Sequence, residues 1–349
     1  MKNKTAWEES AESEGTTESE RILTRRARKA FLSLWSYPKV YSDEGKRDAK
    51  GDGKELVDLL VVFGDDVRLF SDKSCLFQSH VDINISWPRW YRRADDKSAR
   101  QLAGAESFIK RFPERVFLDK SCAVPLPLTI PSSRVAQYHL IAVTRGSHFA
   151  AKQYFGGGSS GILMLSTYLR GKAEHEKMPF HVEQALENGR FIHVFDEIMV
   201  NFLLDELDAV PDFIAYLRKK EEFLGQPGVI VSVPGEEDLL ARYMATSRND
   251  EHAFPEVAQG IDYVALPEGD WGVYLKSPRR AAKKKADKIS YMCDALIEHH
   301  SAFIRSGEVI SSPFLPPYIA VDHERIVRAL AAQPSLARRA LASDLHYAL

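Results

Sequence analysis

The chain has 349 residues, 44% of them hydrophobic and 28% charged. That is the composition of a globular protein and excludes a collagen, a disordered chain or a disulfide-stapled miniprotein. Lys and Arg total 47 against 49 Asp and Glu, a net charge of −2, so any grip on nucleic acid must come from local basic patches and not from the overall field. Cys75, Cys122 and Cys293 form no CxxC pair, which excludes a clustered zinc site and fits reduced thiols. No apolar run is long enough to span a bilayer and no leader-like stretch opens the chain; the expectation is a cytoplasmic protein without membrane contact.

Residues 1–17 are acidic and rich in Ser and Thr, an expected disordered tail. A helical pattern follows, with Ser19 as N-cap, Ile22, Ala27, Ala30, Phe31, Leu34 and Trp35 near helical spacing, and Arg21, Arg25, Arg26, Arg28 and Lys29 coating the rest. Pro38 stops it. Residues 41–54 read as a charged surface loop. The run 55–63 is nearly continuous in apolar residues, as in a strand covered on both faces. Gly64-Asp65-Asp66 signals a hairpin turn, and 67–73 is the returning strand.

Residues 89–111 read as a long amphipathic helix and 115–119 as a strand. Pro125, Pro127 and Pro131 mark a loose boundary, giving a first domain over 18–128 and a second over 129–349. In the second part, strands are expected at 138–143, 162–165, 191–195 and 228–233. Helices are expected at 198–207, 209–223, 236–244 and 279–304, with a short one near the C-terminus. This mixture places the chain in the mixed α/β class.

Two antiparallel strands joined by a tight turn bring their outer ends together. Asp58 and Lys73 lie about equally far from the turn, which makes them near cross-strand neighbours. Burying an acid and a lysine unpaired in such an apolar hairpin costs several kcal/mol, and mutual pairing or a metal ion would offset it. An ordinary exposed ion pair on an edge hairpin is the competing reading.

This layout resembles the PD-(D/E)xK (restriction-endonuclease-like) nuclease superfamily over residues 18–120. The resemblance implies an αβββαβ core followed by a second mixed α/β domain. It also implies a Mg²⁺ (or Mn²⁺) cofactor and hydrolysis of phosphodiester bonds, of DNA ahead of RNA. Asp58 matches the family Asp and Lys73 the family Lys, Gln101 resembles a glutamine that some members bring near the metal, and Glu20 sits where some place a helix glutamate. The acid-x-Lys slot reads Ser71-Asp72-Lys73, with serine where an acid is expected. Strand alternation sets Ser71 and Lys73 on one face and Asp72 on the other. The second metal carboxylate is therefore Asp72, Glu20 or Glu55, in that order; Glu55 is an odd number of residues from Asp58. By analogy such proteins serve in bacterial or mobile-element defence. The serine also admits a catalytically silent nuclease-fold module that binds nucleic acid or a protein.

Trp87-Pro-Arg89-Trp90-Tyr-Arg92-Arg93 interleaves rings and cations directly after the hairpin, a pattern suited to phosphate contact and base stacking or, equally, to an aromatic helix start with a basic outer face. Arg25 and Arg28 add a second basic face. The run Arg279-Arg280 with Lys283-Lys284-Lys285 reads first as a solvated helix face. Gly156–161 lacks a phosphate-loop ending, His193 is expected as a buried structural histidine rather than a catalytic partner of Asp196, and His299-His300 has no third ligand. The C-terminal half is expected to supply contacts to a partner protein or a second copy.

Overall fold

The computed structural model describes residues 15–46, 51–182, 190–249, 251–306 and 320–348; most of the expected acidic tail, residues 1–14, lies outside them. Helix α1 (Glu18–Phe31) opens on a capping box. Thr17, rather than Ser19, is the N-cap, its hydroxyl accepting the Glu20 amide while the Glu20 carboxylate accepts the Thr17 amide. The helix ends at Leu32, whose φ is 66°, well before Pro38. Residues 36–42 form a strand, β1 (Ser36–Ser42), with Pro38 inside it, so the expected charged loop shrinks to the segment before β2 (Lys54–Phe63). Gly64, at φ +60°, and Asp65 turn β2 into β3 (Asp66–Ser74).

The expected helix over 89–111 is two, α2 (Ile83–Tyr91) and α3 (Lys97–Arg111), joined by one wider π turn at Arg92–Asp96. Only β4 (Val116–Phe117) remains of the expected strand 115–119, and it pairs with β1 at the edge of the sheet. There follow β5 (Gln137–Arg145), α4 (His148–Tyr154), β6 (Met164–Ser166), α5 (Gly171–His175), β7 (His181–Val182), β8 (Ile192–Asp196), α6 (Met199–Glu206), α7 (Val210–Leu224), β9 (Ile230–Val233) and α8 (Glu236–Ala245). The remainder comprises β10 (Ser247–Arg248), β11 (Glu251–His252), β12 (Tyr263–Ala265), α9 (Asp270–Leu275), α10 (Pro278–Ser306), α11 (Ala320–Ala331) and α12 (Ser335–Ala348).

The fold is mixed α/β. A six-stranded sheet has the order β4-β1-β2-β3-β5-β8, antiparallel through β3 and parallel from β3 to β5 and β8; a smaller sheet has the order β12-β9-β6-β7. The large sheet takes strands from both sides of residue 128, so the chain returns to it after the Pro-rich stretch, whereas the smaller sheet is built from residues after 128 alone. Phe70 meets Phe31 of α1 across one face, with ring centroids 6.2 Å apart, and Ser71 meets Ser98 and Gln101 of α3 across the other. Helices on both faces explain why every residue from Leu56 to Phe63 is buried, each large apolar side chain contributing about 1.5–3 kcal/mol. Trp35 packs edge-on to Phe63 and donates its indole N–H to Glu324 of α11 at 2.7 Å, which ties the C-terminal helices to this core.

A second buried cluster makes stability pH-dependent. Burial, reinforced by the charges of Asp238 and Asp196 and opposed by a hydrogen bond from Ser160, pushes the Glu237 carboxyl up to about 8. A carboxyl raised on folding stabilises fully below its unfolded value and loses that contribution as the pH climbs through the folded one. The unfolding free energy measured by urea denaturation is therefore expected to fall between pH 5 and pH 9, by an amount on the order of a few kcal/mol. Glu237→Gln should flatten that limb; an unchanged profile in the variant would refute the assignment.

Candidate metal and substrate site

Asp58 and Lys73 meet at the open end of the β2–β3 hairpin. The register pairs Leu59 with Phe70; continued by one residue it sets Asp58 opposite Ser71, with Lys73 the diagonal neighbour two residues on along the same face. The Lys73 ammonium lies 3.7 Å from Asp58 Oδ2, and the same oxygen accepts the Asp72 amide at 2.7 Å. Asp58 is only 4% exposed while the Lys73 side chain is 25% exposed, so the pair is not an ordinary surface bridge: its acid is rooted in the core and its cation reaches the surface.

Glu55 joins Asp58 through a β-bulge. On β1 the register runs Val40↔Val57 and then Tyr41↔Glu55, leaving Leu56 without a partner. One extra residue reverses the alternation and brings Glu55 within hydrogen-bonding reach of the Asp58 carboxyl. Burial, then that contact, holds Glu55 above the usual carboxylate range, with Lys39 acting the other way. Two neighbouring carboxyls call for positive charge, and the Lys73 ammonium at 3.7 Å from Asp58 and the Lys39 ammonium at 3.7 Å from Glu55 supply part of it.

Lys39 stands opposite Asp58 in the β1 register, between Pro38↔Leu59 and Val40↔Val57. Its φ of 48° is left-handed inside a strand, a strain on the order of 1–3 kcal/mol that the surroundings must hold. Its ammonium bridges Glu20 at 3.1 Å and Glu55 at 3.7 Å. Burial alone would raise the Glu20 carboxyl, but the Thr16 and Thr17 amides and Lys39 outweigh it and hold Glu20 below its usual range.

Asp72, the first-ranked second carboxylate, is engaged elsewhere. Arg145 at the end of β5 donates to both its oxygens at 2.7 and 2.8 Å and the Asp72 side chain is fully enclosed. Gln101 spans the gap between strands, donating to the Leu56 carbonyl at 3.1 Å with its amide oxygen 3.3 Å from Ser71 Oγ. It buttresses the bulge.

The expected stacking role of Trp90 is overturned. It is 3% exposed, stacks on Trp87 with centroids 5.4 Å apart, and gives its indole N–H to the Cys75 and Arg145 carbonyls, which makes it a structural pin between the ends of β3 and β5. Arg89, Arg92 and Arg93 are exposed and, with Cys75 and Gln78, line a groove of about 280 Å³ that begins two residues beyond Lys73. Arg25 is exposed and lies near Glu18 at 3.7 Å, while Arg28 lines a separate groove with Asp208 and Asp294. The cationic run on α10 is largely compensated: Arg280 and Lys284 approach Glu206, and Lys283 pairs with Asp287.

His193 is buried, as expected. Asp196 is not its partner; its carboxylate caps the Ile198 and Met199 amides. His193 instead faces Glu221 together with His139, a grouping the sequence spacing did not signal. Among the described residues, His139, His193 and Glu221 are the one set of three whose ligand atoms converge to within 4.8 Å; Glu20, Glu55 and Asp58 are held apart, with Lys39 between Glu20 and Glu55.

Among the described residues no helix is long and apolar enough to cross a membrane. The chain matches no protein-family model, no curated protein and no solved structure.

Proposed function

We propose that the chain is a divalent-metal-dependent nuclease of the PD-(D/E)xK kind, acting on DNA. The observation that carries this reading is the Asp58–Lys73 pair at 3.7 Å beside the Glu55–Asp58 carboxyl contact. The order helix, three antiparallel strands, helix pair, then a strand parallel to β3 supports it.

The donor set fits a hard cation. Asp58 and Glu55 offer carboxylate oxygens, the ligands Mg²⁺ and Mn²⁺ prefer, and their mutual contact is a place where positive charge is wanted. A divalent ion there supplies Lewis acidity, acidifying water and offsetting charge on the phosphate. The Asp72 amide fixes the Asp58 carboxylate. Lys39 holds Glu55 against Glu20. Lys73, one quarter exposed, orients the attacking water through its ammonium. Arg89, Arg92 and Arg93 receive the phosphate backbone along the neighbouring groove.

Purified protein is expected to nick or cleave plasmid, linear duplex or single-stranded DNA with Mg²⁺ or Mn²⁺ and to stop on addition of EDTA. Absence of cleavage on all three and on RNA, together with no Mg²⁺ heat in calorimetry, would overturn the reading. One observation favours a second reading, a silent nucleic-acid-binding module: Ser71 stands opposite Asp58 where an acid is expected and is turned to Gln101. That reading requires metal-independent DNA binding that weakens when Arg92 and Arg93 are neutralised.

A further inference from the structure

We infer that His139, His193 and Glu221 form a binding site for a zinc-class divalent ion that clamps α7 onto the large sheet. The site is separate from the Asp58 pair and does not depend on the nuclease reading.

Topology places the ligands. β5 and β8 run parallel with Ile141 opposite His193, so His139, two residues back on β5, presents its ring on the same face as a diagonal neighbour. Glu221 of α7 comes down between them. Its Oε1 lies 3.1 Å from His139 Nδ1 and 2.9 Å from His193 Nε2. A tetrahedral zinc site with bonds of about 2.0–2.1 Å has ligand-to-ligand edges of about 3.3 Å. Two of the three edges are thus close to that spacing and the third lies within 4.8 Å, so the ligand atoms already converge on one point.

The hydrogen bonding leaves a cation-shaped demand. Asp66, itself held by Arg218 at 2.7 Å, faces His139 Nε2 at 3.3 Å. With the proton on Nε2 donated to that carboxylate, the Nδ1 lone pair faces Glu221, the carboxylate–histidine arrangement that accompanies metal-bound imidazoles. Two electron-rich atoms 3.1 Å apart need a proton or a metal ion between them. His193 is fully buried and its Nδ1 has no partner among the described residues; its ring is held between Phe191 and Phe195, with centroids 4.9 and 6.0 Å away, and turned to Glu221 by Nε2.

Charge and ligand type select the ion. Two imidazoles and one carboxylate favour Zn²⁺ over Mg²⁺. Of the nearby cations, Arg218 is paired with Asp66 and Lys220 with Glu236, while Arg68, opposite His139 in the β3–β5 register, lies over the Phe31 ring without a hydrogen-bond partner among the described residues. The Glu221 side chain is 34% exposed, so the fourth position opens to water.

Chelator-stripped protein titrated with ZnCl₂ is expected to take up one Zn²⁺ per chain and to gain thermal stability that the same concentration of MgCl₂ does not give. Glu221→Gln and His193→Gln should each weaken uptake by about 100-fold or more, and Asp66→Asn by about 10–100-fold. Co²⁺ substitution in the wild-type chain provides a readout that needs no variant: intense visible bands of a tetrahedral nitrogen–oxygen site are expected. Weak octahedral bands, no saturable uptake, or affinity unchanged in both ligand variants would overturn the inference.

Discussion

Asp58→Asn is expected to lower Mg²⁺-dependent DNA cleavage by about three orders of magnitude, ~4 kcal/mol of transition-state stabilisation, while leaving the fold intact. The amide oxygen of asparagine still accepts the Asp72 N–H, now made at 2.7 Å, so the buried strand keeps its hydrogen bond. What disappears is the charge. The carboxyl pair with Glu55 becomes a carboxyl and an amide, and Glu55, held above its usual range by burial and by Asp58, is relieved of its like-charged neighbour. Two readouts separate a lost metal ligand from a damaged fold: Mg²⁺ heat should vanish in calorimetry, and circular dichroism should be unchanged. Lys73→Met should cost about 10²–10⁴-fold but leave Mg²⁺ binding measurable, because its ammonium is not a ligand. Full activity in both variants would remove the nuclease reading altogether.

The part of this site legible in the sequence is the part that a hairpin encodes. A β-branched run, a Gly-Asp turn and a returning strand fix the register, and register alone brings Asp58 to Lys73. The remainder depends on events with no local signature. The bulge at Leu56 puts Glu55 beside Asp58 although the two are an odd number of residues apart, and alternation cannot foresee an extra residue. Strand β1 contains Pro38 and a left-handed Lys39, both of which argue against a strand until the neighbouring β2 supplies the pairing. Asp72 is removed from the site by Arg145, which arrives from a parallel strand beyond the Pro-rich stretch; a linker and a crossover back to the same sheet look alike in composition. Trp90 is similar: ring–cation interleaving describes a stacking platform and an aromatic pin equally well, and the two carbonyls that take its N–H come from distant strands. His139, His193 and Glu221 lie on three separate elements, and their only local trace is a histidine within each of two apolar strands.

The largest stability effect should come from the enclosed ion pair between α7 and α8. Lys220 Nζ lies 2.6 Å from Glu236 Oε2, with side chains 1% and 2% exposed, and the other Glu236 oxygen accepts the Tyr216 hydroxyl at 2.5 Å. The ammonium also sits over the Phe195 ring, 5.0 Å from its centroid. Such a pair gains little over a well-packed apolar replacement, because desolvating both charges offsets most of their attraction. Breaking it is different. Lys220→Met leaves a buried carboxylate with only a tyrosine partner and is expected to cost about 3–5 kcal/mol. Lys220→Met combined with Glu236→Gln removes the orphan charge yet keeps an oxygen for Tyr216, and should recover more than half of that loss. A double-mutant cycle by urea denaturation measures the coupling. A Lys220→Met variant within about 1 kcal/mol of wild type, or a double variant no better than the single, would mean that the charges are hydrated in solution and that α7 and α8 are held by their apolar contacts alone.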